Sequence, residues 1–203
     1  MTDVLERIRE SYNTVATSYA ERVVDGADGE VESFDLLSKL AAGRPILDAG
    51  CGPGRTTALL AERAPAADPS PVIGLDLSPG MIEVARRDHP DLDFRVGSMT
   101  ALEFPDETFG GVVSWWSIIH LPRDVVPAAL AEFHRVLAPG GALLIGFHVG
   151  TESNHKTSGY GDLPMDVYVH RWLPEQLTDL AVAAGLTPYE DAEIPGDRLV
   201  FRK

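Results

Sequence analysis

The chain has 203 residues, 44% of them hydrophobic, and a formal net charge of -14. That length and apolar content suit one domain, residues 1–203, with a good core, and exclude a disordered chain. A sequence pI near 4.7 argues against DNA or RNA as a partner, because an acidic surface repels phosphate backbones.

From the N-terminus, apolar Val4, Leu5, Ile8, Tyr12, Val15, Ala16 and Tyr19 recur at helical spacing and predict a helix from residue 3 to about 24. Asp25-Gly26-Ala27-Asp28-Gly29 breaks it. A second helix runs from Val31 to Ala42, with Gly43 at the C-terminal cap. Strand one, residues 45–49, runs into Gly50-Cys51-Gly52-Pro53-Gly54, and helical pattern follows from Arg55 through Ala64. Next come strand two (71–76), a helix (79–88), strand three (92–96) and strand four (110–115). Ser78 is a natural N-cap there, with Pro79 at the first helical position. A helix over 124–137 is ended by Pro139-Gly140-Gly141, and Ala142 to Phe147 form strand five. A loop of ~25 residues, 149–172, is too long to be idle. Pro174 to Gly185 form the last helix, and Leu186 to Glu193 with Arg198 to Phe201 read as a closing hairpin around Pro195-Gly196-Asp197. The alternation predicts an α/β fold with a doubly wound, mostly parallel sheet. No stretch approaches ~18 continuous apolar residues and no signal region opens the chain, so the expectation is a cytoplasmic protein without membrane contact.

Ile46 to Gly54 is the most informative stretch. A strand, a glycine turn and a helix open an α/β unit whose ligands lie beyond the carboxyl ends of the strands. Glycine reaches backbone angles a Cβ forbids and lets a ligand lie on bare main chain. Asp76 ends the second strand, placed to accept from both hydroxyls of a ribose. Alone, each feature is also met as a plain turn or a solvated acid; as a pair in register they read as a site for an adenosine-containing cofactor. A dinucleotide fingerprint would need glycine where Arg55 stands. That, and the lack of a second dinucleotide half, argues against an NAD-type oxidoreductase. Cys51 is the only cysteine, so no intrachain disulfide forms. It reads as small apolar packing rather than as a nucleophile.

Gly50, Gly52 and Gly54, led by Asp48, resemble the first motif of the class I S-adenosylmethionine-dependent methyltransferases of small-molecule type. Gly74 to Met81 resembles their ribose segment, Phe94 to Asp106 the adenine side, Phe109 to Leu121 strand four and its turn, and Arg135 to Ile145 the entry to strand five. The resemblance implies a seven-stranded Rossmann-like sheet with an antiparallel final strand and an N-terminal helical lid, residues 1–42. It implies S-adenosylmethionine as cofactor, S-adenosylhomocysteine as product, and a small organic acceptor methylated on O, N or C.

It also implies residue roles. Asp48 would help hold the methionine ammonium group, and Gly50, Cys51, Gly52 and Gly54 would bring backbone to the amino-acid portion. Asp76 would take the ribose, Leu77 would pack on the adenine, and Met99 would offer its amide to the ring. Ser98 stands where the family usually has an adenine-binding Asp, and Gly110 where it often has Asp. Both departures leave a non-catalytic cofactor binder in view. The backbone of Ser114 or Trp115 would fall near the methionine portion, and Trp115 or Trp116 would wall the methyl-transfer pocket, where an aromatic face attracts a sulfonium. One tryptophan of the pair could equally be plain core. Tyr12 and Tyr19 resemble the family's lid helix, Tyr19 closing over the cofactor and Tyr12 supporting it, although a core stripe shows the same spacing.

A hydroxyl or amine acceptor can require a base. His120, just after strand four, is the first candidate and His148, at the end of strand five, the second. His155 and His170 lie in the long loop with Tyr160 and Tyr168, the two tyrosines expected in the acceptor pocket. No His/Cys/Asp grouping has metal-ligand spacing, so no metal is expected. A monomer or homodimer is expected.

Overall fold

The computed structural model describes residues 2–23, 29–63, 71–190 and 196–203. The expected break at Asp25 to Asp28, the end of the third helix at Ala64, and the Glu193 and Pro195 part of the closing hairpin lie outside them. In chain order the helices are α1 (Thr2–Arg22), α2 (Glu30–Ala41), α3 (Arg55–Ala61), α4 (Pro79–Asp88), α5 (Val126–Val136) and α6 (Pro174–Ala183). The strands are β1 (Ile46–Ala49), β2 (Val72–Asp76), β3 (Asp93–Val96), β4 (Phe109–Trp115), β5 (Leu137–Gly146), β6 (Ser153–Gly159), β7 (Leu163–His170), β8 (Thr187–Pro188) and β9 (Arg198–Arg202).

Seven strands form one sheet in the order β3-β2-β1-β4-β5-β9-β8. Strands β1 to β5 pair in parallel, and β9 runs antiparallel between β5 and β8. The central strands read as unbroken apolar runs because both faces are covered. Side-chain alternation sorts them. Leu47, Val112 and Leu143 point to α5 and α6, meeting Leu130, Phe133 and Leu177. Ile46, Val113 and Leu144 point the other way, to Phe34 and Leu37 of α2 and Leu60 of α3. The sheet reverses direction of build-up between β1 and β4, the switch point at which such folds open a crevice. Among the described residues, no helix is long and apolar enough to cross a membrane.

The structure differs from the sequence expectations in several places. Helix α3 ends at Ala61, short of Ala64, and among the described residues the first arm of the closing hairpin is strand only at Thr187–Pro188. Two larger differences follow. Strand β5 starts at Leu137, so Pro139-Gly140-Gly141 lies inside it. The pairing with β4 shifts register between Phe109 and Gly111, and that irregularity takes up the proline and glycines. Residues 149–172 are not a loop: β6 and β7 form a separate antiparallel hairpin. Its buried Met165 and Val167 pack on Ile8, Val15 and Ala16 of α1. Strand β6 is polar throughout and mostly exposed, which hid it from a hydrophobicity pattern.

Helix α1 lies across the crevice and is fixed on both sides. Asn13 Oδ1 accepts from Ser78 Oγ at 2.7 Å and from the Gly80 amide at 2.8 Å, tying it to the start of α4. Ser11 Oγ accepts from the Asp166 amide at 2.8 Å and Ser18 Oγ donates to the Tyr160 carbonyl, tying it to the hairpin.

Candidate active site

The crevice at the switch point encloses a cavity of about 610 Å³, within the range of small-molecule sites. Its floor is the turn after β1 and the tip of β2; its walls are the tips of β3, β4 and β5; its roof is α1 with the β6–β7 hairpin.

The three glycines of the turn do different work, all at positive φ. A Cβ on Gly50 would overlap Ser117, whose Oγ donates to the Ala49 carbonyl at 2.6 Å and joins the ends of β1 and β4. A Cβ on Gly54 would fall 2.7 Å from Phe94 Cζ, so this glycine serves the packing of α3 on β3 and does not line the cavity. Gly52 differs from both: its Cβ would meet no protein atom within 4 Å, and the residue lines the cavity. Its bare backbone face is open to a ligand. Cys51 also lines the cavity, but its side chain packs with Ile82, Ala85 and Phe94, and burial pushes the thiol well up. That is the packing role, not a nucleophile's.

Asp76 ends β2 beside this turn. One carboxylate oxygen accepts from the Gly52 amide at 2.9 Å and the other from the Ser78 amide at 2.8 Å. Burial raises its pKa while these amides lower it. The carboxylate is therefore rigidly held, and each oxygen keeps an acceptor site free. Leu77, Ser98 and Met99 line the adjoining wall. Ser98 Oγ shares a 2.8 Å hydrogen bond with Thr100 Oγ1 and accepts from the Thr100 amide, so part of its capacity is spent locally.

Besides Gly54, three expected site residues face elsewhere. Asp48 is fully buried and accepts from the Thr56 and Thr57 hydroxyls at 2.6 and 2.7 Å. It anchors the start of α3 and does not line the cavity. Burial pushes its carboxyl up to about 6, against the pull of those hydroxyls. Ser114 is buried in a network with Ser117 Oγ and the Ile118 amide. Tyr168 projects outward, stacked on His155 at 4.5 Å and near His170 at 6.0 Å. His155 also pairs with Asp166, so neither histidine of the hairpin reaches the main cavity.

The roof is aromatic. Tyr160, Tyr19 and Tyr12 follow one another at 4.6 and 6.3 Å between centroids, and Tyr12 continues to His120 at 5.2 Å. All four line the cavity, with Trp115 and Trp116 on the β4 side. The tryptophans meet edge to face at 4.5 Å, and Trp115 also packs on Phe34, so it is core and wall at once.

His120 is placed at the cavity but is not free. Its Nδ1 lies 3.1 Å from the Tyr168 carbonyl, which can only accept, so Nδ1 carries the proton. Nε2 then accepts from the Tyr12 hydroxyl at 2.7 Å. Burial drops the imidazole pKa from 6.5 to about 4, more than the Tyr168 carbonyl raises it. Burial likewise raises Tyr12 well above the usual phenol range. The pair is a neutral, closed unit rather than a ready base. His148 lines the cavity 6.1 Å from Trp116, and no hydrogen bond to its ring is recorded among the described residues.

Sequence reasoning missed Arg55, Ser117 and Lys156. Arg55 lines the cavity and forms a two-bond pair with the nearly buried Glu30, at 2.8 and 2.6 Å. The signal for it was local, one residue past the last turn glycine. Lys156 reaches the cavity from β6, and nothing short of the hairpin register reveals that.

Residues 46–141 match a family described as the methyltransferase domain. The chain is similar to a demethylmenaquinone methyltransferase of Symbiobacterium thermophilum, 34% identical over 147 residues, 68% of this chain and 57% of that protein. It is similar to a probable S-adenosylmethionine-dependent methyltransferase of Mycolicibacterium smegmatis, 33% identical over 153 residues, 75% and 55% of the two chains. The chain spans about half the length of the curated relatives it matches. Among solved structures it resembles the 1,6-didemethyltoxoflavin-N1-methyltransferase of Burkholderia thailandensis with bound 1,6-didemethyltoxoflavin and S-adenosylhomocysteine. The TM-score is 0.72 at 22% identity, over 100% of this chain and 89% of that one, a likeness of fold.

Proposed function

The chain belongs to the class I S-adenosylmethionine-dependent methyltransferases, and from that premise we propose that it methylates a small organic acceptor. One observation carries the reading: Gly52 turns bare backbone to the cavity beside the rigidly held Asp76 carboxylate. A cofactor with a ribose fits there, and the residues present suit S-adenosylmethionine, which needs no phosphate cradle. When bound, the cofactor supplies an electrophilic methyl group on a sulfonium.

This chain's residues then do the following. Asp76 accepts from the ribose hydroxyls with the lone pairs its two amide partners leave free. Gly52 and its neighbours admit the amino-acid portion to the main chain, and Leu77 packs against the adenine. Tyr12, Tyr19 and Tyr160 close the roof and exclude water, which aids alignment and strengthens the attraction between cation and ring. The Tyr12–His120 unit holds the wall in shape. His148, whose ring makes no hydrogen bond among the described residues, takes the acceptor's proton where the acceptor needs a base. A small acceptor is supported by the roofed cavity and by the activities named for the relatives.

Titration calorimetry with S-adenosylmethionine and with NAD tests the cofactor. Methyl transfer from labelled cofactor into the small-molecule fraction of a cell extract tests the reaction. Binding of NAD alone would overturn the reading. Binding of S-adenosylmethionine without any transfer would make the chain a binder only.

A further inference from the structure

Lys156 sits on the inner face of the hairpin, opposite Val167, while its neighbour His155 faces outward opposite Tyr168. Alternation along β6 thus turns one basic side chain into the cavity. The hairpin is shaped to allow it. A Cβ at residue 159 would lie 2.6 Å from Lys156 Cε and 2.9 Å from Nζ, so Gly159 leaves the space in which the side chain folds back. Its ammonium lies 3.9 Å over the Tyr160 ring, the ring that continues to Tyr19 in the roof.

The charges of the cavity are otherwise settled. Arg55 is matched by Glu30, and the Asp76 carboxylate is held by two backbone amides. Among the described residues, no carboxylate lies within ion-pair distance of Lys156, and its field reaches His120. An ammonium brought into a roofed, mainly apolar cavity needs an opposite charge, and a ring face supplies only part of it. Among the described residues no carboxylate provides the rest.

We propose that the acceptor is an organic acid, and that Lys156 selects it by pairing with its carboxylate. This rests on the methyltransferase reading and adds the substrate class and its specificity residue.

The test uses protein loaded with S-adenosylhomocysteine and matched acid and amide probes, among them 4-hydroxybenzoate with 4-hydroxybenzamide and octanoate with octanamide. Calorimetry should show acids binding wild type about 10- to 100-fold more tightly than their amides, as expected for a charged hydrogen-bond partner. Lys156→Met should lose that preference while keeping its affinity for S-adenosylhomocysteine. Lys156→Arg should retain the preference, and Lys156→Glu should shift it toward amine probes, which a purely structural lysine would not do. Equal binding of acids and amides by wild type overturns the proposal. So does an acid preference that survives in Lys156→Met, or no acid binding at concentrations to about 10 mM. Failure of wild type to bind S-adenosylhomocysteine instead overturns the methyltransferase reading.

Discussion

Replacing His120 by glutamine should change how stability depends on pH, in a direction set by the neutral, partly buried ring. The imidazole is displaced from 6.5 to about 4 on folding, mainly by burial. At about 1.4 kcal/mol for each tenfold change in proton affinity, that corresponds to about 3 kcal/mol. Because the folded state binds the proton less tightly, this contribution is present above pH 6.5 and is lost as pH falls through about 4. Asp48 works in the opposite sense. Its carboxyl rises from 3.8 to about 6 on folding, so it contributes about 3 kcal/mol below pH 3.8 that is lost as pH rises through 6. The two nearly cancel between about pH 4 and 6, and wild type conceals both. Urea denaturation at pH 7 and at pH 4 should separate them. Relative to wild type, His120→Gln should improve by about 3 kcal/mol on going from pH 7 to pH 4, and Asp48→Asn should lose stability over the same interval. Parallel pH profiles for His120→Gln and wild type would refute a neutral, partly buried histidine at this position.

Asp76→Ala should weaken S-adenosylmethionine by about 1.5–3 kcal/mol, the cost of removing a charged hydrogen-bond partner; wild-type affinity by calorimetry would remove Asp76 from the ribose. Gly52→Val should abolish cofactor binding while circular dichroism shows a folded chain, since the new side chain points into the cavity. Gly50→Val should lower the melting temperature further than Gly52→Val, because to the strain both variants meet at positive φ it adds a collision with Ser117; similar stability losses in both variants would contradict this division. The pH profile of kcat/KM should carry no His120 limb near pH 6.5, its titration lying near 4, and His148→Gln should remove whatever acid limb remains above that.

The sheet and the glycine turn were legible because their signals are local: apolar runs, glycine at set positions, Ser78 before Pro79 with its hydroxyl capping the Met81 amide at 3.1 Å. That the Asp48 side chain turns away from the cavity had a signal in the sequence. Alternation along β1 puts it on the face of Ile46, toward α3, and away from the cavity. The state of His120 was not legible, because it depends on Tyr12 and Tyr168, 108 and 48 residues away in the chain. Gly110, set against an expected Asp, has a steric explanation. A Cβ there would strike the Ala41 carbonyl at the end of α2 and lie 2.6 Å from Arg44 Cβ. No acidic side chain can stand at that point of β4 while α2 packs so closely.

The seam between α1 and the hairpin joins residues 155 and 142 positions apart, Ser11 with Asp166 and Ser18 with Tyr160. If the proposed reading holds, substrate range would therefore be carried by two distant stretches of chain that form one wall of the cavity. A chimaera that borrows a relative's hairpin while keeping this first helix would inherit new acceptor contacts with a leaking seam. Directed evolution toward another acceptor would gain more from mutating both stretches in one library than from deep mutation of either, with the sheet left untouched as the constant part.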